Sequence, residues 1–188
     1  MKTVGHHACK QTGGYSSVLE NSPFYAEHNP GNNKYQFLGS GYYFWDNNLE
    51  LAKSWGKSRC NNDYYVVEID FELTSENCFD LVGNRNHQIY LLKMLDILKK
   101  ETGHDKNKTW TLNQCVEFLR KLNRENDNVF PYKLIRAIDL HNHTVKAQRS
   151  IKFIENKENY TIINPKLVIF AFEKEDLNLP TKRIVVSS

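Results

Sequence analysis

The run Gly39-Ser40-Gly41-Tyr42-Tyr43-Phe44-Trp45 constrains the fold more than any other stretch of this chain. Two glycines one residue apart allow a turn whose backbone passes close to a neighbour. Consecutive aromatics then favour an extended strand, read as Gly41 to Trp45. Asp46 or Asn47 can cap a helix from Leu49 to about Lys57, with Leu49, Ala52 and Trp55 on one face. Successive strand residues point to opposite faces, so Tyr42 and Tyr43 part company, and Tyr42 is expected in the core.

The rest of the chain alternates between the two periodicities. Thr3 to Ala8 reads as a short strand carrying His6 and His7, followed by a Gly13-Gly14 turn. Tyr15 to Asn21 fits a brief helix stopped by Ser22-Pro23, and residues 25–37 are turn-rich, hence a long loop of the kind that often carries function. Tyr64 to Leu73 alternates from Val67 onward, which predicts a half-buried strand, and Cys78 to Leu81 a short apolar edge. Ile89, Leu92, Met94, Leu95 and Leu98 mark one helix; Cys115, Val116, Leu119 and Leu122 mark a second, capped by Thr109 or Thr111. Val129 to Asp139 is ambiguous. Ile151–Ile154, Tyr160–Ile163 and Leu167–Phe172 are strand candidates, and the tail after Leu177 is an edge strand or frayed. The order of elements predicts one mixed α+β domain over residues 1–188 with a helical insert near 84–128.

Bulk properties narrow the class. The net charge of +3 is too mild to argue for or against nucleic acid, while 40% hydrophobic residues suffice for a core. Cys9, Cys60, Cys78 and Cys115 are scattered with no Cys-x-x-Cys pair, which argues against zinc and for a reducing, cytoplasmic setting. The opening residues are too polar for a signal peptide, and no apolar run would span a bilayer, so no membrane partner is expected. His141-Asn142-His143 is too sparse a set for a metal site. No Gly-x-Gly-x-x-Gly follows a strand and no Walker A lysine occurs, so the doubly wound nucleotide folds fit badly.

A histidine on a strand, stacked aromatics and close-approach glycines suit a flat, hydrogen-bonding ring better than a metal or a bare phosphate, which points to a nicotinamide-type pocket. Taken together, Gly5-His6-His7-Ala8-Cys9, the segment Leu38–Trp45 and the helix carrying Ala52 and Trp55 resemble the ADP-ribosyltransferase superfamily. The branch is the one that includes diphtheria toxin and the poly(ADP-ribose) polymerases, with small bacterial toxin-like relatives. The resemblance implies two packed β-sheets around an NAD cleft, NAD as substrate and no metal. It implies transfer of ADP-ribose to a protein or nucleic-acid acceptor with release of nicotinamide, and leaves room for an inhibitory partner protein. By the same resemblance His7 would hold the adenosine ribose, the Ala8 backbone the nicotinamide amide, Tyr43 would stack on nicotinamide and Trp55 would close its other face. Gly41 would belong to the same NAD-binding set. His6 is expected to be structural.

The third family motif is where the sequence departs. Glu158-Asn159-Tyr160-Thr161-Ile162-Ile163-Asn164 matches a late strand with Asn159 at the glutamate position and Glu158 one residue early. A carboxylate there would stabilise the oxocarbenium-like centre as the nicotinamide bond breaks, whereas an asparagine holds a hydroxyl but carries no charge. Glu158 or Asn159 is therefore expected beside the reacting ribose. Two alternatives stay open: a non-catalytic NAD, ADP-ribose or protein-binding module on the same fold, and an RNA 2′-phosphotransferase. The latter wants cleft arginines, and the first half of the chain offers only Arg59 and Arg85.

Overall fold

The computed structural model of the protein describes residues 1–101, 110–126, 128–139, 149–157 and 159–187. In chain order it has β1 (Lys2–Lys10), α1 (Gly14–Asn21), β2 (Tyr42–Asp46), α2 (Leu49–Arg59), β3 (Tyr64–Glu72), β4 (Cys78–Asp80), α3 (Arg85–Glu101), α4 (Leu112–Glu125), β5 (Leu134–Ile138), β6 (Arg149–Lys152), β7 (Tyr160–Ile163), β8 (Leu167–Ala171) and β9 (Arg183–Ser187). Seven strands form a sheet in the order β4-β5-β8-β2-β1-β3-β9, and β6 pairs with β7 as a separate hairpin. The α+β class is therefore as expected. The ambiguous stretch around Val129–Asp139 supplies β5, and the tail supplies the edge strand β9.

The sheet arrangement differs from the expected pair of packed sheets. β1 runs against β3 from Lys2–Glu72 to Lys10–Tyr64. It meets β2 only at Gly5–Asp46 and His6–Trp45. Those two pairs stitch β4-β5-β8-β2 to β1-β3-β9, so one hydrogen-bonded sheet with a narrow seam takes the place of two. Only β4 and β5 pair in parallel; every other pair is antiparallel. Parallel neighbours cannot be joined by a tight turn, so the chain between them must cross over. That crossover holds α3 and α4, the helical insert of the sequence.

Local chemistry explains the boundaries. The cap of α2 is Asn48, whose Oδ1 accepts from the Leu51 N–H at 3.1 Å, rather than Asp46 or Asn47. Asp46 is already committed: its carboxylate accepts from Thr3 Oγ1 and Arg136 Nε, each at 2.6 Å. Asn47 turns the corner with φ of 46°. Thr111 caps α4 in a capping box with Gln114, and Thr109 lies outside the described residues.

Both faces of the sheet are covered. On one, Phe44, Val67, Ile69 and Ile169 pack with Val18 of α1. On the other, Phe79, Ile135 and Phe170 lie under Leu98, Val116 and Leu119 of α3 and α4, while Ala8, Tyr64 and Val66 lie against Ala52 of α2. Tyr64 to Val67 is accordingly buried throughout, because α2 covers the face opposite Val67. Among the described residues no helix is long and apolar enough to cross a membrane.

Candidate functional site

A cleft of about 800 Å³ opens where β1 and β2 part. Its position follows from the register. The Val4 carbonyl accepts from the Asn47 N–H at 2.8 Å, so Val4 directs its peptide groups towards β2. In an antiparallel ladder that direction alternates, and His6 and Ala8 share it. The β1–β2 ladder stops at His6–Trp45, so the Ala8 N–H and C=O face the gap beyond it. They are aimed where a ligand amide could replace the missing strand.

His7 bridges the parting strands. Its Nε2 accepts from the Phe24 N–H at 3.2 Å, which leaves the proton on Nδ1 to be donated to the Tyr43 carbonyl at 3.0 Å. Burial holds its pKa below the ordinary histidine value, so the ring is neutral in the folded protein. The sign of the consequence is fixed. The unfolded chain binds the proton more readily, so this contribution to stability is present above about pH 6.5 and lost as the pH falls below it. Thermal unfolding of the wild type should therefore weaken between pH 7 and pH 5 by up to about 1.4 kcal/mol per pH unit. His7→Gln, which can still accept and donate, should remove that part of the slope. His87, which burial shifts the same way, should contribute a further part.

Tyr43 stands on the opposite wall. Its hydroxyl donates to the Gly39 carbonyl at 2.6 Å and accepts from the Leu38 N–H at 3.1 Å, so the phenol ties down the turn that precedes β2. Burial pushes its pKa up, and the ring lies 4.9 Å from that of Phe170. Trp55 projects from the middle of α2 and is 41% exposed. His7, Ala8, Tyr43 and Trp55 thus line one cleft.

Gly41 stands apart from that lining. Its N–H and C=O pair with Ala26, and a Cβ built on it would come within 2.5 Å of both the Ala171 carbonyl oxygen and the Phe170 ring. Asn159 is exposed, and its carbonyl accepts from the Phe153 N–H at 3.1 Å in the β6–β7 hairpin. It is not among the residues lining the cleft. Glu158, His141 and His143 lie outside the described residues. The strand paired with β2 is β8, not β7, and at its start Lys166 faces the cleft beside Asp139, whose N–H donates to the Lys166 carbonyl at 2.9 Å.

Several lining residues were not singled out from sequence: Lys10, Lys166, Asp139, Phe24 and Phe37; Arg59, named there as one of two arginines in the first half of the chain, lines the cleft as well. A signal existed for β8. Leu167-Val168-Ile169-Phe170-Ala171 is an unbroken apolar run, the mark of a strand buried on both faces, whereas Tyr160-Thr161-Ile162-Ile163 is interrupted by Thr161. Cys9 also reaches the cleft, but burial first, and then Cys60, push its thiol up to about 12, so it is protonated at neutral pH and no nucleophile. His6 is bound through Nε2 to Glu68 at 2.8 Å, and Glu68 in turn holds Arg183. Among the described residues, no group of three or more His, Cys, Asp or Glu is placed to hold a metal. No protein-family model, no curated protein and no solved structure matches the chain.

Proposed function

We propose that the cleft binds NAD and that the protein transfers ADP-ribose from it, releasing nicotinamide. The observation that carries this reading is the gap in the β1–β2 ladder. There the Ala8 peptide groups face the gap, and Tyr43 and Trp55 line the same cleft, a space suited to a flat amide-bearing heterocycle. The Ala8 N–H and C=O would pair with the carboxamide as a strand would, and Tyr43 and Trp55 would take the two ring faces. His7 would offer Nε2 to a ribose hydroxyl in exchange for the Phe24 N–H. Cations from the set Lys10, Arg59 and Lys166 would meet the pyrophosphate.

Among the described residues lining the cleft the one carboxylate is Asp139. It is the group to oppose the positive charge that develops on the ribose as the bond to nicotinamide breaks. Nicotinamide release from NAD should fall about 10²- to 10³-fold in Asp139→Asn, with NAD binding retained. In Tyr43→Ala both binding and release should fail. Release that is unchanged in both variants would sink the proposal.

Lys166 favours a second reading. A cation at the head of β8 suits anion binding and opposes development of positive charge next to it. The cleft would then hold NAD or ADP-ribose without cleaving it. NAD would raise the melting temperature of the wild type, though not of Tyr43→Ala, and no nicotinamide would appear.

A further inference from the structure

The charged and aromatic side chains around the cleft outnumber what NAD alone would use. Lys10, Arg59 and Lys166 line it, and none of them forms an ion pair with another described residue. Elsewhere Arg120, Arg136 and Arg183 are each held by a carboxylate. The cleft cations come from three different elements: Lys10 closes β1, Arg59 closes α2 and Lys166 precedes β8. A pyrophosphate offers two phosphates, fewer than the three cations around the cleft.

The walls of the cleft are also aromatic and open to solvent. Phe24 is 40% exposed, Tyr25 55%, Phe37 39% and Trp55 41%. Side chains of this size are usually buried, and four of them round one cation-lined cleft form a stacking platform. Several cations with exposed aromatic faces in the same cleft are the recognition chemistry of an unpaired polynucleotide. The cations meet successive phosphates and the rings meet bases that a duplex would keep stacked on one another.

We propose that the acceptor is a single-stranded nucleic acid, bound across the mouth of the cleft with a phosphate on a cation that NAD leaves free. The binding stands on the cleft alone; the transfer rests on the NAD reading above. In that step a lone pair of the nucleic acid forms a bond to the nicotinamide-bearing ribose carbon. Nicotinamide leaves neutral with the electron pair of the broken C–N bond, and the proton of the attacking group passes to solvent.

The test is fluorescence anisotropy of a labelled twelve-nucleotide oligonucleotide of mixed sequence, single-stranded and as a duplex, between 50 and 200 mM salt. The full chain would be compared with Tyr25→Ala, Lys166→Gln and the double variant Lys10→Gln/Arg59→Gln, with melting temperatures confirming that each folds. The single strand should bind at least tenfold more tightly than the duplex. With NAD absent all three cations are open to phosphates, and three contacts should give a log–log salt slope of about −2, reduced by about 0.7 for each cation removed. Loss of one stacking ring should weaken binding by about 5- to 150-fold. In parallel, NAD labelled in its adenylate would be followed onto the oligonucleotide or onto protein. Absence of single-strand binding, or a salt slope untouched by the charge variants, overturns the proposal. Nicotinamide release with label only on protein overturns it too, while leaving the NAD reading standing. Oligonucleotide binding that follows the variants, without any nicotinamide release, keeps the nucleic-acid site and ends the transferase reading.

Discussion

Asp46→Ala is expected to lower the unfolding free energy by about 3–5 kcal/mol, the largest effect of any single change considered. The Asp46 carboxylate is 3% exposed and accepts from Arg136 Nε on one oxygen and Thr3 Oγ1 on the other. Arg136 is itself 12% exposed, and its remaining partner, Asp80, is farther away at 3.5 Å. Removing Asp46 strands a guanidinium in the sheet, and the cost is the desolvation of that charge more than the worth of the bond. For a chain of this size the melting temperature should fall by about 6–20 °C. The design of the check follows from the same physics. Asp46→Leu combined with Arg136→Met removes both charges together and should recover most of the loss, because a buried ion pair is often no better than its apolar replacement. A double variant as unstable as the single one would show that the pair is needed for its own sake.

Gly41→Val should cost about 3 kcal/mol or more and should displace the site as well. The first side-chain carbon would meet the Ala171 carbonyl oxygen and the Phe170 ring, each at 2.5 Å. A ring edge can tilt, but a strand carbonyl cannot yield without opening the β2–β8 ladder. Tyr43 pairs with Phe170 in that ladder, so the shift would carry Tyr43 with it. Nicotinamide release should therefore fall even well below the melting temperature of the variant. Gly31→Ala is the matching control: the nearest atom to its Cβ is Asn29 Oδ1 at 3.5 Å, an ordinary contact. Its stability should stay within about 0.5 kcal/mol of the wild type. Equal stability in Gly41→Val would mean that the close approach of β2 to β8 is not real.

What the sequence alone determined is local. Alternating and 3.6-residue patterns located β1, β2, β3, α2, α3 and α4 within a few residues, because side-chain periodicity is written directly into the order of residues. The Gly-x-Gly-aromatic turn and the histidine strand could be read for the same reason, and His7, Ala8, Tyr43 and Trp55 do line one cleft. What only the tertiary structure decided depends on which strands lie side by side. Sequence cannot show that β1 leaves β2 after two pairs, and so could not locate the gap where the Ala8 peptide groups are free. The unbroken apolar run marks Leu167–Ala171 as a more buried strand than Tyr160–Ile163, but it does not name the neighbour of β2, and only pairing puts Lys166 rather than Asn159 at the cleft. Asp46 was a reasonable helix cap until Arg136, far along the chain, came to lie beside it. Gly41 was expected in the NAD-binding set, and what the tertiary structure adds is its close approach to the Ala171 carbonyl and the Phe170 ring. In each case the deciding interaction joins residues distant in sequence, and its energy exists only once the sheet has assembled.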